Sequence, residues 1–273
     1  MPSQVAIIAG AGRFPFYVAR EAKRQGHRVV AIGLSGWADE ALKHEADAYE
    51  EIAVGELGRL IASLKSHAVR QAVMAGKVTK EVLFRHATTF DAEALKVIGQ
   101  TRDFSVPALL GLIAKRLEAD GITLLDSSTF LRANLCPSGT LTSRGPTPSE
   151  QQDIEVGLQA ARTLAALDVG QTVIIKHGVI VAVEALEGTD AAIRRAHALA
   201  GKELIVVKTA SAAQDRRFDL PIIGGETMAV ARDSGVSCLA VEAGSTLLLE
   251  REAVIASANS AGICLLGVAL PSA

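Results

Sequence analysis

Cysteine is scarce in this sequence, and its scarcity excludes two kinds of stabilising site. The chain of 273 residues contains three cysteines, Cys136, Cys238 and Cys264, which lie far apart. Neither a disulfide framework nor a zinc site matches this number and spacing. We therefore expect three free thiols and a cytoplasmic protein, since thiols persist in reducing compartments.

Long hydrophobic runs and clusters of positive charge are also missing. The longest apolar run, residues 261–270, is interrupted by glycines and is about half as long as the roughly 20 residues that cross a bilayer. The N-terminus does not have the pattern of a signal peptide. The formal net charge is only −2 and no stripe of Lys and Arg is present. We therefore expect neither a membrane-spanning segment nor a nucleic-acid partner.

Strand-like and helix-like segments alternate through both halves of the chain. Hydrophobic residues make up 49% of the sequence, which is ample for a core. For residues 1–135 the alternation predicts a Rossmann-like domain with a doubly wound parallel sheet. Residues 136–149 contain three prolines and two glycines, which is typical of an interdomain linker. Residues 150–273 predict a C-terminal mixed α/β domain that carries the catalytic function, so the expected fold class is α/β with two α/β domains.

A glycine-rich turn follows the first predicted strand and leads into a helix, which is a natural place for an anion. The turn consists of Gly10, Ala11, Gly12 and Arg13. Pro15 stands where the dinucleotide fingerprint has a small residue, and residues 33–35 lack the acidic group that would bind a ribose. NAD is therefore disfavoured. A phosphate contact and a tight structural turn both stay open for these residues.

The segment 107–120 predicts a helix with a broad apolar face that ends at Gly121. Packing against a core is one interpretation of this face, and contact with lipid is the other.

Residues 172–221 combine carboxylates and cations beside predicted strand ends, where α/β proteins often place catalytic groups. Carboxylates suit Mg²⁺, which takes few protein ligands and keeps waters and substrate phosphates; the acids are Glu187, Asp190 and Asp219. Cations stabilise charge on a phosphoryl group; those present are Lys176, Lys208, Arg216 and Arg217. The plainer interpretation, in which the acids cap a helix and shape a turn, also stays open.

Five stretches of the sequence carry a resemblance to a known family. They are IIAGAGRFP at 7–15, MAGKV at 74–78, VAVEALEGTDAAIRRA at 181–196, VVKTASAAQDRRFDLPIIG at 206–224 and LAVEAGSTLLLERE at 239–252. In this order they resemble the LpxI-type UDP-2,3-diacylglucosamine pyrophosphatases of Gram-negative bacteria. The stretch IGQTRDF at 98–104 departs from the acidic pair that the family has there.

The resemblance implies hydrolysis of the pyrophosphate of a UDP-linked, doubly acylated glucosamine, an early step of lipid A synthesis. The products would be UMP and 2,3-diacylglucosamine 1-phosphate. It also implies dependence on Mg²⁺ and a homodimer. A substrate with acyl chains adds the expectation of peripheral contact with the inner membrane.

Residue chemistry and the resemblance together assign candidate roles. Asp219, Lys208 and Asp190 are the candidate catalytic residues, and Asp219 is preferred because two arginines stand close before it. Asp219, Asp190 and Glu187 are the candidate ligands of Mg²⁺. The candidate substrate-binding residues belong to the glycine turn, the cations and the polar positions of the matching stretches: Gly10, Ala11, Gly12, Arg13, Lys77, Lys176, Glu187, Gly188, Thr189, Gln214, Arg216, Arg217, Glu242, Gly244 and Thr246.

Two other function classes fit the same residues. One is a nucleotide-dependent oxidoreductase or transferase built on the N-terminal glycine turn. The other is a lipid- or nucleotide-binding protein without catalytic activity, which would leave a UDP-linked lipid unchanged in the presence of Mg²⁺.

Overall fold

The computed structural model describes residues 3–78, 89–210, 215–218 and 220–269. The chain divides into two compact units. Unit 1 comprises Met1–Leu131 and Asp215–Asp219, and unit 2 comprises Arg132–Gln214 and Leu220–Ala273. Both units combine helices with a β-sheet, which confirms the predicted α/β class with two domains.

The sheet of unit 1 has five parallel strands in the order β3-β2-β1-β4-β5. The strands are β1 (Gln4–Ala9), β2 (Arg28–Leu34), β3 (Ala48–Ile52), β4 (Gln71–Ala75) and β5 (Thr123–Leu124). The helices described in this unit are α1 (Phe14–Arg24), α2 (Leu57–Ser66), α3 (Ala92–Ile98) and α4 (Val106–Ala119), with a short 3₁₀ helix at Glu40–His44. This strand order reverses between β1 and β4 and confirms the predicted Rossmann-like sheet.

The central strands of unit 1 are buried on both faces, which explains their unbroken apolar sequences. Ala6 and Ile8 of β1 pack into a cluster that includes Leu117 of α4. Leu112 and Ile113 of α4 also pack against this cluster. These contacts support core packing as the function of the apolar face of α4.

The sheet of unit 2 has six strands in the order β6-β13-β11-β9-β7-β8. The strands are β6 (Gly139–Thr140), β7 (Thr172–Lys176), β8 (Val179–Val183), β9 (Leu204–Lys208), β11 (Val236–Glu242) and β13 (Cys264–Val268); β10 (Ile222–Ile223) and β12 (Leu247–Leu248) form a separate parallel pair. Strands β9, β11 and β13 are parallel, whereas β7 is antiparallel to both β9 and β8. The sheet therefore contains both parallel and antiparallel pairs, and the unit that holds it is the predicted C-terminal α/β domain.

Helices pack on both faces of this mixed sheet. The described helices are α5 (Pro148–Ala166), α6 (Thr189–Ala200), α7 (Gly225–Asp233) and α8 (Arg251–Ser260). Alternate strand residues divide between two clusters, so that Ile174 and Val206 pack with α6, α7 and α8, while Ile175 and Val207 pack with α5. Helix α5 approaches closely at Gly157, where an added Cβ would lie 2.5 Å from Ile175 Cδ1.

Residues 136–149, predicted as an interdomain linker, pack within unit 2 instead. Strand β6 pairs with β13, and the buried Thr142 hydroxyl accepts a hydrogen bond from the Leu265 N–H at 2.9 Å. Arg144 pairs with Glu150 at 2.8 Å, and this hydrogen-bonded pair lowers the pKa of Glu150 to about 2. The prolines prevent this segment from forming long regular structure. Its side chains hydrogen-bond to the rest of unit 2 instead.

The predicted continuous C-terminal domain is also corrected, because Asp215–Asp219 belongs to unit 1. The Ser127 N–H donates to the carbonyl of Arg216 at 2.9 Å. The Ser127 hydroxyl lies 3.0 Å from the carbonyl oxygens of both Met74 and Arg217. Phe218 packs against the apolar cluster of unit 1. The loop after β5 therefore fastens residues 215–218 beside the carboxyl end of β4.

Candidate functional site

Lys208 occupies the carboxyl end of β9 and is the most buried cation in the described part of the chain, with 6% of its surface exposed. Its Nζ donates to the hydroxyl of Thr189 at 2.7 Å and to that of Thr172 at 3.3 Å. A carboxylate oxygen of Glu184 lies 3.7 Å from the same nitrogen. We call Thr172, Glu184, Thr189 and Lys208 the Lys208 cluster.

The strand register of unit 2 brings the Lys208 cluster together. Thr172 of β7 stands directly opposite Lys208 of β9, and the Glu184 N–H, just after β8, donates to the Thr172 carbonyl at 2.8 Å. The neighbouring alternate residues of these strands pack towards α6, so the three side chains share that face of the sheet. Thr189 is the first residue of α6. The cluster therefore forms a row beneath the N-terminus of this helix.

The charges of the Lys208 cluster balance inside the protein. Burial raises the pKa of the Glu184 carboxyl, but the charge of Lys208 and hydrogen bonds to the carboxylate outweigh burial, and the pKa lies below its usual value. Glu184 is therefore an anion at neutral pH and the counter-charge of Lys208. The N-terminus of α6 adds a favourable field for this anion.

Three predicted substrate-binding residues lie in the turn that follows β11, the strand next to β9. Glu242 ends β11, and its carboxylate accepts a hydrogen bond from the Ala210 N–H at 2.9 Å. Gly244 has a φ of 72° and donates its N–H to the Cys136 carbonyl at 2.8 Å. The Thr246 side chain is fully buried, and its hydroxyl has no hydrogen-bond partner among the residues described. These residues share the carboxyl edge of the sheet with Lys208.

The predicted metal ligands are not gathered into one group in the described part of the chain. No set of three His, Cys, Asp or Glu side chains there is arranged to hold a metal ion. Glu187 accepts hydrogen bonds from the Ala185 N–H and from Arg195. Asp190 accepts a hydrogen bond from the Thr227 hydroxyl at 2.8 Å. The preferred acid, Asp219, lies outside the described residues, so the described carboxylates by themselves do not fit a Mg²⁺ site.

Glu187, Gly188 and Asp190 instead shape the start of α6. Gly188 is the residue before the helix and has a φ of 81°, which favours glycine. Asp190 stands in the first turn, where a carboxylate is stabilised by the helix dipole. These positions agree with the plainer interpretation, in which the acids cap a helix. A role of Glu187 and Gly188 in substrate binding stays a prediction.

Lys176, predicted to bind substrate, lies at the other end of β7 from Thr172. The two residues are four positions apart along the strand, which corresponds to about 13 Å. The Lys176 ammonium donates to the carbonyl oxygens of Ala200 and Lys202 at 2.9 and 2.8 Å. It therefore satisfies the C-terminus of α6, where a cation is also favoured by the helix dipole. The structure does not bring Lys176 into the Lys208 cluster.

In unit 1 the glycine turn of residues 10–13 is joined to the loop that follows β4. The Ala11 N–H donates to the Lys77 carbonyl at 2.8 Å, and the Lys77 N–H donates to the Ala11 carbonyl at 2.9 Å. A Cβ on Gly10 would lie 2.6 Å from the Lys77 carbonyl oxygen. Gly10 is thus required for the close approach of two loops, while Gly12, Arg13 and Lys77 are exposed. A phosphate contact here stays a prediction.

The two predicted arginines are placed in unit 1 by ion pairs with carboxylates. Arg216 Nε lies 2.9 Å from Asp126 Oδ2. Arg217 pairs with Asp215 at 2.7 Å and with Glu118 at 3.2 Å, and the hydrogen bond from Arg217 lowers the pKa of Asp215. Gln214, the other predicted residue of this stretch, lies outside the described residues.

Thr172 and Glu184 belong to the Lys208 cluster but were not among the candidates predicted from the sequence. Each is a polar residue at the end of a β-branched run, Thr172 before Val173 and Glu184 after Val183. This position is the feature of the sequence that could have indicated them, because a polar residue at the end of a buried strand lies at the edge of the sheet. Its face and partners depend on register, which the local sequence does not state.

Known proteins are similar to this chain over nearly its whole length. Sequence models of the LpxI N-terminal domain and the LpxI C-terminal domain match residues 4–133 and 137–266. The UDP-2,3-diacylglucosamine pyrophosphatase LpxI of Caulobacter vibrioides is 30% identical over 276 residues, which cover 97% of this chain and 97% of that protein.

Solved structures with a similar arrangement are far more distant. UDP-glucose-4-epimerase from Stenotrophomonas maltophila, solved with NAD, is 20% identical over 44% of this chain and 34% of its own, with a TM-score of 0.28. N5-carboxyaminoimidazole synthetase from Staphylococcus aureus, solved with ADP, is 12% identical over 73% of this chain and 36% of its own, with a TM-score of 0.27. Such scores carry no argument about function, whereas the matches to both LpxI domains do identify the family. The chain belongs to the LpxI-type UDP-2,3-diacylglucosamine pyrophosphatase family.

Proposed function

We propose that this chain hydrolyses the pyrophosphate bond of UDP-2,3-diacylglucosamine and releases UMP and 2,3-diacylglucosamine 1-phosphate for lipid A biosynthesis. The observation that carries the proposal is the 30% identity, over 97% of both chains, to a protein named for this pyrophosphatase activity. Both LpxI domains are matched in order along the chain.

The chemistry of the Lys208 cluster supports this proposal. In the hydrolysis, the oxygen of water bonds to one phosphorus while the bond from that phosphorus to the bridging oxygen breaks, and the other phosphate leaves with the electron pair. Negative charge grows on the leaving phosphate, and a fixed cation in a dry setting stabilises it. Lys208 is buried and has an anionic partner. We propose that its ammonium group contacts the diphosphate.

Asp219 and Asp190 are proposed as the catalytic carboxylates, with Asp219 preferred. The turn of residues 10–13 and the residues after β11 are proposed as substrate contacts. A glycine turn that leads into a helix supports the first of these assignments, since a helix N-terminus favours phosphate.

We also propose that turnover requires Mg²⁺. Support comes from the substrate, because a diphosphate supplies the hard oxygen ligands that Mg²⁺ shares with waters and a small number of carboxylates. A cation bound in this way would neutralise charge on the diphosphate.

A cytoplasmic homodimer that meets its lipid substrate at the inner membrane is part of the same proposal. The three cysteines are buried and free, which supports a reducing compartment. Among the helices described, none has both the length and the apolar character needed to cross a bilayer.

The direct test is incubation of the purified protein with UDP-2,3-diacylglucosamine in ¹⁸O water, with Mg²⁺ or with a chelator. We expect UMP and the acylated sugar phosphate by mass spectrometry with Mg²⁺ and neither with the chelator; the labelled product identifies the phosphorus that is attacked. Recovery of unchanged substrate would instead support a binding protein. Enhanced fluorescence of NADH on titration would support the oxidoreductase alternative.

Replacing Asp219 by alanine tests the preferred carboxylate. We expect turnover to fall below detection while the melting temperature changes little, because the sequence predicts a loop at this carboxylate and a loop side chain contributes little packing. Asp233→Ala is the matched control, since Asp233 is a carboxylate with 68% of its side chain exposed and pairs only with the adjacent Arg232 among the ion pairs described. A fully active Asp219→Ala protein would contradict this assignment.

A further inference from the structure

Thr189 links the two charges of the Lys208 cluster. Its hydroxyl donates to Glu184 Oε1 at 3.0 Å and accepts from Lys208 Nζ at 2.7 Å. One hydroxyl can do both, since it has one hydrogen and two lone pairs. Thr189 therefore serves as a bridge that relates the position of the ammonium group to that of the carboxylate.

The second carboxylate oxygen of Glu184 does not hydrogen-bond to Lys208 and so leaves one of its N–H groups available to a bound molecule. This oxygen, Oε2, lies 3.7 Å from Nζ, beyond hydrogen-bond distance, and it has no hydrogen-bond partner among the described residues. The hydrogen bonds found for Nζ in the described part of the chain go to Thr189 and Thr172. An ammonium group has three N–H donors. The carboxylate thus balances the charge of Lys208 without occupying its third donor.

A buried ion pair of this kind needs an explanation other than stability. Apolar residues of similar volume often stabilise a core as well as a buried pair does, whereas an isolated buried ammonium readily loses its proton. Glu184 comes from the end of β8, two strands away from β9 in the sheet, so its position is defined by the register of three strands. Through Thr189, Glu184 fixes the direction of the Lys208 side chain, which would otherwise have rotational freedom.

We infer that Glu184 is a positioning residue for the reaction: through the Thr189 bridge it aims the third N–H of Lys208 at the diphosphate of the substrate. This inference rests on the proposed function, because the reacting group that Lys208 meets is the pyrophosphate. Glu184 itself makes no contact with substrate.

The test compares kcat and KM of five variants with those of the wild type, using UDP-2,3-diacylglucosamine and Mg²⁺. Glu184→Gln keeps the shape of the side chain and its Oε1 acceptor but removes the charge. We expect kcat to fall about 100-fold, the effect of a misplacement of about 1 Å in a catalytic group, with KM within about twofold because substrate contacts are intact. Thr189→Val should lose kcat similarly, and Thr189→Ser, which keeps the bridging hydroxyl, should retain it.

The other two variants, Lys208→Met and Lys208→Met/Glu184→Gln, show whether Glu184 acts through Lys208 or independently of it. Glu184→Gln added to Lys208→Met should lower kcat no further than Lys208→Met does alone, because the two residues act as a unit. Wild-type kcat in both Glu184→Gln and Thr189→Val would overturn the inference and leave the proposed function intact. Absence of UMP release by the wild type would overturn both. If Glu184→Gln does not fold, the contrast between Thr189→Val and Thr189→Ser decides, and equal kcat in these two variants overturns the inference.

Discussion

Replacing Lys208 by methionine removes one charge from a buried pair while nearly preserving the length and the apolar stem of the side chain. Only 7% of the Lys208 side chain and 13% of the Glu184 side chain are exposed. Removing one partner of such a pair costs about 3–5 kcal/mol, because the other charge stays buried without compensation. Typical domains have about 5–15 kcal/mol of stability in total. We therefore expect a variant that folds but unfolds at a clearly lower urea concentration.

The destabilisation of Lys208→Met depends on pH with a defined sign. In the wild type, burial raises the pKa of Glu184 but Lys208 and hydrogen bonds lower it further, so the folded pKa lies below the unfolded one. The stability contributed by this carboxylate is therefore present above an unfolded pKa of about 4.3 and is lost as pH falls through the folded pKa. Without Lys208, burial becomes the dominant effect and raises the folded pKa of Glu184 above the unfolded one, so that the carboxylate destabilises the fold at neutral pH. The difference between variant and wild type should be larger at pH 7 than at pH 4.5.

Urea titrations at both pH values, followed by circular dichroism, measure this difference. Hydrogen exchange of the β9 amides tests whether the loss of stability lies in unit 2. The double variant Lys208→Met/Glu184→Gln is the control, because it removes both charges and should recover most of the lost stability. Equal urea midpoints for Lys208→Met and the wild type at pH 7, or a double variant no more stable than Lys208→Met, would refute the reasoning.

Two further substitutions test structural assignments. Lys176→Met should lower the stability of unit 2 by about 1–2 kcal/mol, because two hydrogen bonds at the end of α6 are lost. UMP release should stay within about twofold of wild type, and loss of turnover would show that Lys176 takes part in the reaction. Gly157→Ala should destabilise the chain by about 1 kcal/mol. Two contacts of 2.5 and 2.6 Å to Ile175 and Val207 cause overpacking that costs about 2 kcal/mol, and the gain in helix propensity offsets only about 1 kcal/mol of it. The control is Gly111→Ala in α4, where no atom lies within 4 Å of the added Cβ; it should stabilise, and equal urea midpoints for the two variants would contradict the packing described.

The sequence alone was sufficient for the fold class and the family, and it named candidate site residues that stay predictions. Unbroken apolar runs at β1 and β2, separated by glycine turns and helical periods, are local features of a parallel sheet, and they predicted the Rossmann-like unit. Lys208 and Thr246 could be named as candidates because family motifs are read from consecutive residues. Arg216 and Arg217 were named in the same way, although the sequence did not predict that they belong to unit 1.

Only the tertiary structure decided which of these residues meet. Glu184, Thr172 and Lys208 form a row because three strands pair in one register, and a shift of one residue would turn each side chain to the other face of the sheet. Lys176 carries the same charge as Lys208, yet it lies at the opposite end of its strand from Thr172.

The same distinction explains the two corrected boundaries. Residues 136–149 have the composition of a linker but bond to β13 and α5 within unit 2, and residues 215–218 bond to the loop after β5 in unit 1. Composition and periodicity report the conformation of a short segment. Contacts between residues about 90 positions apart, such as Ser127 and Arg217, depend on free energy gained only when the whole chain has folded, and no local pattern encodes them.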